Sequence, residues 1–466
     1  KTRKNTALLI GDLKLEQAKE ALIAAYLNET TLYVKSAYLT ALGKLDVREN
    51  LEFFKNRLQE VKNQQVPADE QKHQGEEIRE LNEIILKTEG AKKHQFTGFQ
   101  MPHEMLLLTN REQREVTLSE VKEIGASVQR KAELHPLGVL VFSKEVTPFT
   151  KLRTYRELLF PIHTNERIPA MPHRAAELLW HSDLYAFLTE CHEGDAPFFF
   201  RLEVKSAEPK TEFVKKLGAS LEKKSDWKLA NSTTDYEIEI RLIEAKDGSF
   251  VPFLKLYSMK MKRFAYRKNA IAMSIHPATA AMLMYLAKPY LKENAQILDP
   301  CCGVGTMLIE RDILVPAREK YGIDIFGDAI DMARENAALA GEKINFIHRD
   351  YFDFKHDYKF DEIVTNMPVK GKKAKEDMDA FYARFFEKSK SLLAEDGIII
   401  VVMTLESGSG QVLAGPDIVS RGFVYVRESE GLMEEARNVL TNAVEDCLTH
   451  QRNADWSKIK LVIRDT

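Results

Sequence analysis

At 466 residues the chain is longer than one compact core usually allows, so about two to four domains are expected. Its apolar fraction of 44% and charged fraction of 29% are ordinary for soluble globular protein, and no apolar run approaches the roughly 18 residues of a membrane span. The formal charge of −3 argues neither for nor against nucleic acid, which needs only a local basic face.

The segment Lys1-Thr2-Arg3-Lys4-Asn5 is basic but lacks the apolar core and cleavage site of a signal peptide. Four cysteines (Cys191, Cys301, Cys302, Cys447) form no metal-like pair of pairs. Both features fit a reducing cytoplasm and no metal site. Residues 6–63 read as paired amphipathic helices. One apolar face carries Ala18, Ala21, Leu22, Ala24 and Ala25, and the next carries Val34, Ala37, Tyr38, Ala41 and Leu42. The pattern resembles a HEAT-type helical repeat. A polar loop is expected over 63–75 and another helix over 76–88. From 98 to 265 helices and strands mix, with strands at 138–142, 198–204, 236–242 and 253–257 and a helix at 212–223. That makes an α+β module with a basic exit: Lys260, Lys262, Arg263, Arg267 and Lys268 cluster around Phe264 and Tyr266.

Residues 270–400 alternate strand and helix as a doubly wound α/β sheet, with strands at 296–299, 320–324, 344–348, 361–365 and 397–403. The most informative stretch is Ile297-Leu298-Asp299-Pro300-Cys301-Cys302-Gly303-Val304-Gly305-Thr306, an apolar strand that ends in a glycine turn and enters a helix near Thr306. Glycines there let backbone approach a small molecule closely, and Asp324, ending the next strand, is the acid that usually binds ribose. This alone leaves nicotinamide cofactors and S-adenosylmethionine (SAM) open. The dinucleotide fingerprint wants a third glycine where Leu308 stands, so SAM is favoured. Asn366-Met367-Pro368-Val369, after a later strand, then points to methyl transfer onto an exocyclic amine. A second basic run, Lys370, Lys372, Lys373 and Lys375, follows it.

In order, Arg201-Leu202-Glu203-Val204, Lys262-Arg263-Phe264-Ala265-Tyr266-Arg267, Ser274-Ile275-His276-Pro277-Ala278-Thr279-Ala280-Ala281 and Asp299-Pro300-Cys301-Cys302-Gly303-Val304-Gly305-Thr306 resemble the THUMP-domain RNA methyltransferases, guanine-N2 enzymes acting on tRNA or rRNA. The likeness covers 98–395. It implies an RNA-binding THUMP module near 150–265 preceded by a small ferredoxin-like linker domain. It also implies SAM at Gly303 and Gly305 with Asp299, Cys301 and Thr306 around it, ribose on Asp324, and adenine near Asp350. The family usually has an aromatic after Asn-x-Pro, where this chain has Val369; Phe381 or Tyr382 is a substitute stacking partner. From 393 to 466, Glu395-Asp396-Gly397-Ile398-Ile399-Ile400-Val401-Val402 and Ala414-Gly415-Pro416-Asp417-Ile418-Val419-Ser420-Arg421-Gly422-Phe423 resemble the C-terminal domain of bacterial ribonuclease J. No two of the twelve histidines are spaced as His-x-His, so that nuclease's metal cluster is not expected here. The two likenesses meet within Leu393-Ala394-Glu395-Asp396-Gly397-Ile398, which fits both families, as a natural fusion or a joining of two sequences would leave.

The chain is therefore expected to be multidomain: a HEAT-like helical segment (1–95), a ferredoxin-like linker plus THUMP-like module (96–265), a Rossmann-like SAM methyltransferase sheet (266–396) and an α+β tail (397–466). Asn366, the Met367 carbonyl and Pro368 are the catalytic candidates, because acceptors for the amine protons favour its pyramidal, reactive form while proline stiffens the loop. Lys260, Lys262, Arg263, Arg267, Lys370, Lys372 and Lys373 are the RNA-binding candidates. Two alternatives stand beside this reading: a non-catalytic THUMP-type RNA-binding protein, and an RNA-processing protein related to ribonuclease J through its tail. The tail's strands are expected near 424–426 and 459–463, closing the sheet edge as an antiparallel hairpin, with a helix near 432–448.

Overall fold

The computed structural model describes residues 2–67, 69–89, 94–109, 114–125, 131–194, 197–272, 274–367, 378–405, 422–428 and 462–465. The chain divides into two compact units, one of residues 1–97 with 162–259 and one of 98–161 with 260–466. The block expected as 96–265 is thus shared between them. No helix among the described residues is long and apolar enough to cross a membrane.

The first unit opens with helices Thr2–Asp12, Lys19–Asn28, Leu32–Leu42, Leu51–Asn63 and Gln71–Glu89. Both expected faces pack inward: Leu22, Val34, Ala37, Tyr38, Ala41 and Leu42 are buried. The expected 63–75 loop is shorter than its polarity suggested, because the last helix begins at Gln71. Gln74 sits in its first turn and donates to the carbonyls of Val61 (2.8 Å) and Gln64 (2.6 Å), which ties the polar start down. The same unit holds a four-stranded sheet in the order Phe250–Leu256, Ile238–Glu244, Phe198–Lys205, Leu229–Asn231. The strand alternates apolar and charged residues, and its Glu239 is fully buried and Arg241 nearly so. Glu239 accepts from Arg241 Nε at 2.8 Å and from Arg201 Nε at 2.9 Å. Opposite charges on one strand face satisfy each other and allow burial that an unpaired charge would forbid.

The second unit contains a four-stranded antiparallel sheet, ordered Lys131–His135, Gly138–Ser143, His103–Leu108, Glu157–Pro161, with helix Arg114–Glu123. Its larger sheet is parallel throughout, in the order Asn345–His348, Glu319–Asp324, Gln296–Asp299, Phe360–Asn366, Leu393–Leu405, Gly422–Glu428, Val462–Asp465. All five expected strands are present, and helices cover both faces. Helix Pro277–Ala287 packs with Met307, Val364 and Ile400. Phe385 and Leu392 of helix Met378–Leu392 pack on the other face with Leu298 and Ile399. Arg311, fully buried, donates from Nε and Nη2 to Glu362 at 2.6 and 2.7 Å and pins helix Thr306–Leu314 to the sheet.

The expected antiparallel hairpin is corrected here. Gly422–Glu428 runs parallel to Leu393–Leu405, and Val462–Asp465 runs parallel to Gly422–Glu428. Parallel neighbours need a crossover of about a dozen residues or more, and 406–421 and 429–461 are both long enough to supply one. The strand expected at 424–426 is present, and the one expected at 459–463 overlaps Val462–Asp465, with 459–461 outside the described residues. The helix expected near 432–448 lies outside the described residues.

Candidate active site

The site forms at the carboxyl edge of the parallel sheet, where a strand-order reversal opens a crevice. Gln296–Asp299 lies between the strands ending in Asp324 and Asn366, so three motif residues share one edge. Gly303 and Gly305 both take left-handed conformations, with φ of 49° and 83°. They are not equivalent. A Cβ on Gly303 would meet only Ile271 Cδ1, at 3.9 Å, whereas one on Gly305 would meet the Phe346 ring at 2.9 Å. Gly303 is therefore the open glycine and Gly305 the packed one. Phe346 occupies the space beside Gly305 and also fills the slot over Gly322.

Asp324 is the turn's clamp. Its Oδ2 accepts from Gly303 N at 2.8 Å and its Oδ1 from Phe326 N at 2.9 Å. Each oxygen keeps a second lone pair for a hydroxyl. Ile325 and Phe326 follow it and are 58% and 68% exposed. Sequence reading missed this apolar pair, though two apolar residues directly after a strand-ending acid were the available signal. Asp350 stands exposed at the next strand's end and accepts from Phe352 N at 2.9 Å.

Beneath the turn, Asp299 is buried and accepts from Cys301 N at 3.1 Å. Burial, with Asp324 adding to it, pushes its carboxyl up to about 7. Because the folded value lies above the ordinary one, the protonated form is favoured on folding, and stability from this group is lost as pH rises through about 7. Asp299→Asn is expected to flatten the fall in melting temperature between pH 5 and 8; an unchanged slope would assign it to other groups. Burial also pushes both thiols up, so Cys301 and Cys302 pack as neutral small groups.

The Thr306 hydroxyl is buried with no hydrogen-bond partner among the described residues. Asn366 ends its strand half-buried, and Met367 after it is 2% exposed, in one apolar cluster with Tyr351, Phe352 and Phe381. The Phe381 ring lies 5.7 Å from that of Phe352, nearly perpendicular. Pro368, Val369, Lys370, Lys372 and Lys373 lie outside the described residues, as does the Tyr382 side chain.

The basic segment before the sheet is split. Lys260, Lys262 and Lys268 are exposed. Arg263 is corrected as an RNA-binding candidate: its guanidinium donates to the carbonyls of Leu152, Tyr155 and Arg156 and lies 3.7 Å over the Tyr155 ring. Tyr266 donates to Glu310 at 2.6 Å, and Arg153 donates to the same carboxylate at 2.7 and 2.8 Å. The motif thus acts as a brace within its unit. Arg267 is half-buried, with Nη2 3.4 Å from the Ser274 carbonyl.

Residues 272–416 match the family model "Methyltransferase small domain", and residues 388–466 match "Ribonuclease J C-terminal domain". Ribonuclease J 2 of Staphylococcus epidermidis is 50% identical over 78 residues, 17% of this chain and 14% of that protein. Ribonuclease J2 of Bacillus subtilis is 44% identical over the same length. The chain thus spans 14% of the length of these curated relatives. Among solved structures, TrmN from Thermus thermophilus is 19% identical, with 64% of this chain and 88% of that chain covered and a TM-score of 0.45. SMU.472, a putative methyltransferase complexed with SAH, is 14% identical, with 63% and 88% covered and a TM-score of 0.48. The two family matches overlap at 388–416, the stretch that supplies strand Leu393–Leu405. The chain therefore contains a region similar to the methyltransferase small domain, which overlaps a C-terminal region similar to the ribonuclease J C-terminal domain.

Proposed function

We propose that this chain is a SAM-dependent RNA methyltransferase whose target is the N2 amine of a guanine in tRNA or rRNA. The observation that carries the reading is the shared sheet edge, where strands ending in Asp299, Asp324 and Asn366 are neighbours and the open Gly303, held by Asp324, follows the first. Gly303, Asp324, Thr306 and Asp350 are the residues that would hold the cofactor, with Ile325 and Phe326 beside them to cover a purine. Bound there, SAM supplies an electrophilic methyl group. The chain's own contribution is positional. The Asn366 side-chain carbonyl accepts from the target amine, and its neighbour Met367, anchored by a buried side chain, supplies a backbone acceptor from a loop stiffened by Pro368. The base must leave its stack to reach this edge, and Phe381, in one apolar cluster with Met367, is the aromatic assigned to receive it.

In this reading residues 96–265 supply the ferredoxin-like linker and, near 150–265, the THUMP-like module, with the HEAT-like helices of 1–95 ahead of them. RNA phosphates meet Lys260, Lys262 and Lys268, and Lys370, Lys372 and Lys373 beyond the catalytic loop. Replacing Lys260, Lys262 and Lys268 by alanine is expected to weaken RNA binding and lower the slope of log affinity against log salt by about two. An unchanged slope would move the RNA surface elsewhere. Mass analysis of nucleosides from RNA incubated with the chain and SAM tests the reaction: N2-methylguanosine is expected, and its absence with SAM bound would favour the non-catalytic reading.

A further inference from the structure

Within the first unit, a cavity of 1420 Å³ opens between helix Gln71–Glu89 and helices Pro172–Trp180 and Thr211–Lys224. Typical small-molecule pockets enclose about 300–1,000 Å³, so this one suits something larger. Its walls carry Lys62, Lys72, Lys216, Lys223 and Lys224. The carboxylates beside them are mostly engaged: Glu177 pairs with Arg174 at 3.0 Å, Glu76 with His73 at 3.1 Å, and Glu222 accepts from Asn231 N at 2.8 Å. Lys216 reaches Glu212 only at 3.9 Å, and Lys223 bonds the neutral amide of Gln71 at 3.1 Å. A surplus of positive charge therefore lines the groove.

The second observation is Trp227, whose ring lines the same groove while packing against the core of the N-terminal helices. Asp226 and Trp227 are consecutive non-glycine residues with positive φ, 50° and 60°. Such backbone costs energy and persists only where the surroundings enforce it, here presenting an indole beside lysines. A Cβ added at Gly75 would lie 3.9 Å from the Trp227 ring, an ordinary contact, so the glycine sets this helix beside the indole.

Lysines that track a backbone, with an aromatic face between them, are what a single-stranded polyanion of stacking bases requires. We infer that this groove holds an unpaired stretch of RNA, with phosphates on Lys72, Lys216 and Lys224 and a base on Trp227. The inference rests on the RNA reading above but concerns a surface remote in sequence from the methyl-transfer residues.

The test uses the full chain and a fluorescein-labelled oligouridine of about twelve nucleotides, read by anisotropy at two salt concentrations. Lys72→Glu, Lys216→Glu and Lys224→Glu together should weaken binding at least about tenfold and lower the salt slope by about two. Should charge reversal unfold the chain, alanine at the same exposed positions gives the slope. Trp227→Phe should keep most of the affinity, whereas Trp227→Ala should lose it about tenfold. Equal affinity of wild type and lysine variants, or no oligouridine binding by wild type, overturns the inference; in the latter case capture of an acidic peptide would give the groove to a protein. If wild type methylates RNA and the lysine variants keep its KM, the groove fails alone. If no RNA is methylated but the variants lose oligouridine, the reaction fails and the groove stands.

Discussion

Asn366→Ala is expected to lower methyl transfer by about 100- to 1000-fold while leaving SAM affinity unchanged. Asn366 ends the strand beside the one that launches the glycine turn, so it shares the edge without belonging to the turn's hydrogen bonds. Its acceptor matters when the amine pyramidalises, and an interaction made mainly in the transition state shows in kcat rather than in cofactor binding. Single-turnover kinetics with saturating SAM, alongside calorimetry, separate the two. Turnover near that of the wild type would mean another group holds the amine. Val369→Tyr, restoring the aromatic usual in the resembled family, should preserve or raise the rate.

Gly305→Val is expected to unfold the methyltransferase sheet rather than merely block the cofactor. Its φ of 83° penalises any β-branched side chain, and the new Cβ would lie 2.9 Å from the Phe346 ring. Left-handed strain and overpacking together cost about 2–5 kcal/mol, a large share of a domain's stability. Gly303→Asn is the contrasting variant. Asparagine tolerates the left-handed region, and nothing nearer than 3.9 Å meets a Cβ there, so this variant should stay folded and lose SAM affinity. Thermal melting and calorimetry on both variants distinguish them. A folded Gly305→Val chain that fails only in SAM binding would return Gly305 to the ligand side of the turn.

The sequence alone determined the parallel sheet, because buried strands read as apolar runs and their punctuation by Gly, Asp and Asn marks one edge. It also determined which strand ends carry chemistry: Asp299, Asp324 and Asn366 fall on that edge. It could not tell Gly303 from Gly305, since both are glycines in one turn and only the distant Phe346 makes one of them a packing site. Nor could it separate the arginine that braces from the lysines that stay exposed. Arg263 is committed by carbonyls more than a hundred residues away in sequence. The network of Arg201 with the buried Glu239 and Arg241 is likewise invisible in the strand's own sequence. The tail's strand direction was undetermined too, since a strand's own residues carry its pleat but not its neighbour's polarity. Periodicity and turn chemistry are local and therefore legible, whereas charge pairing, ring-in-slot packing and strand direction arise only when remote segments meet.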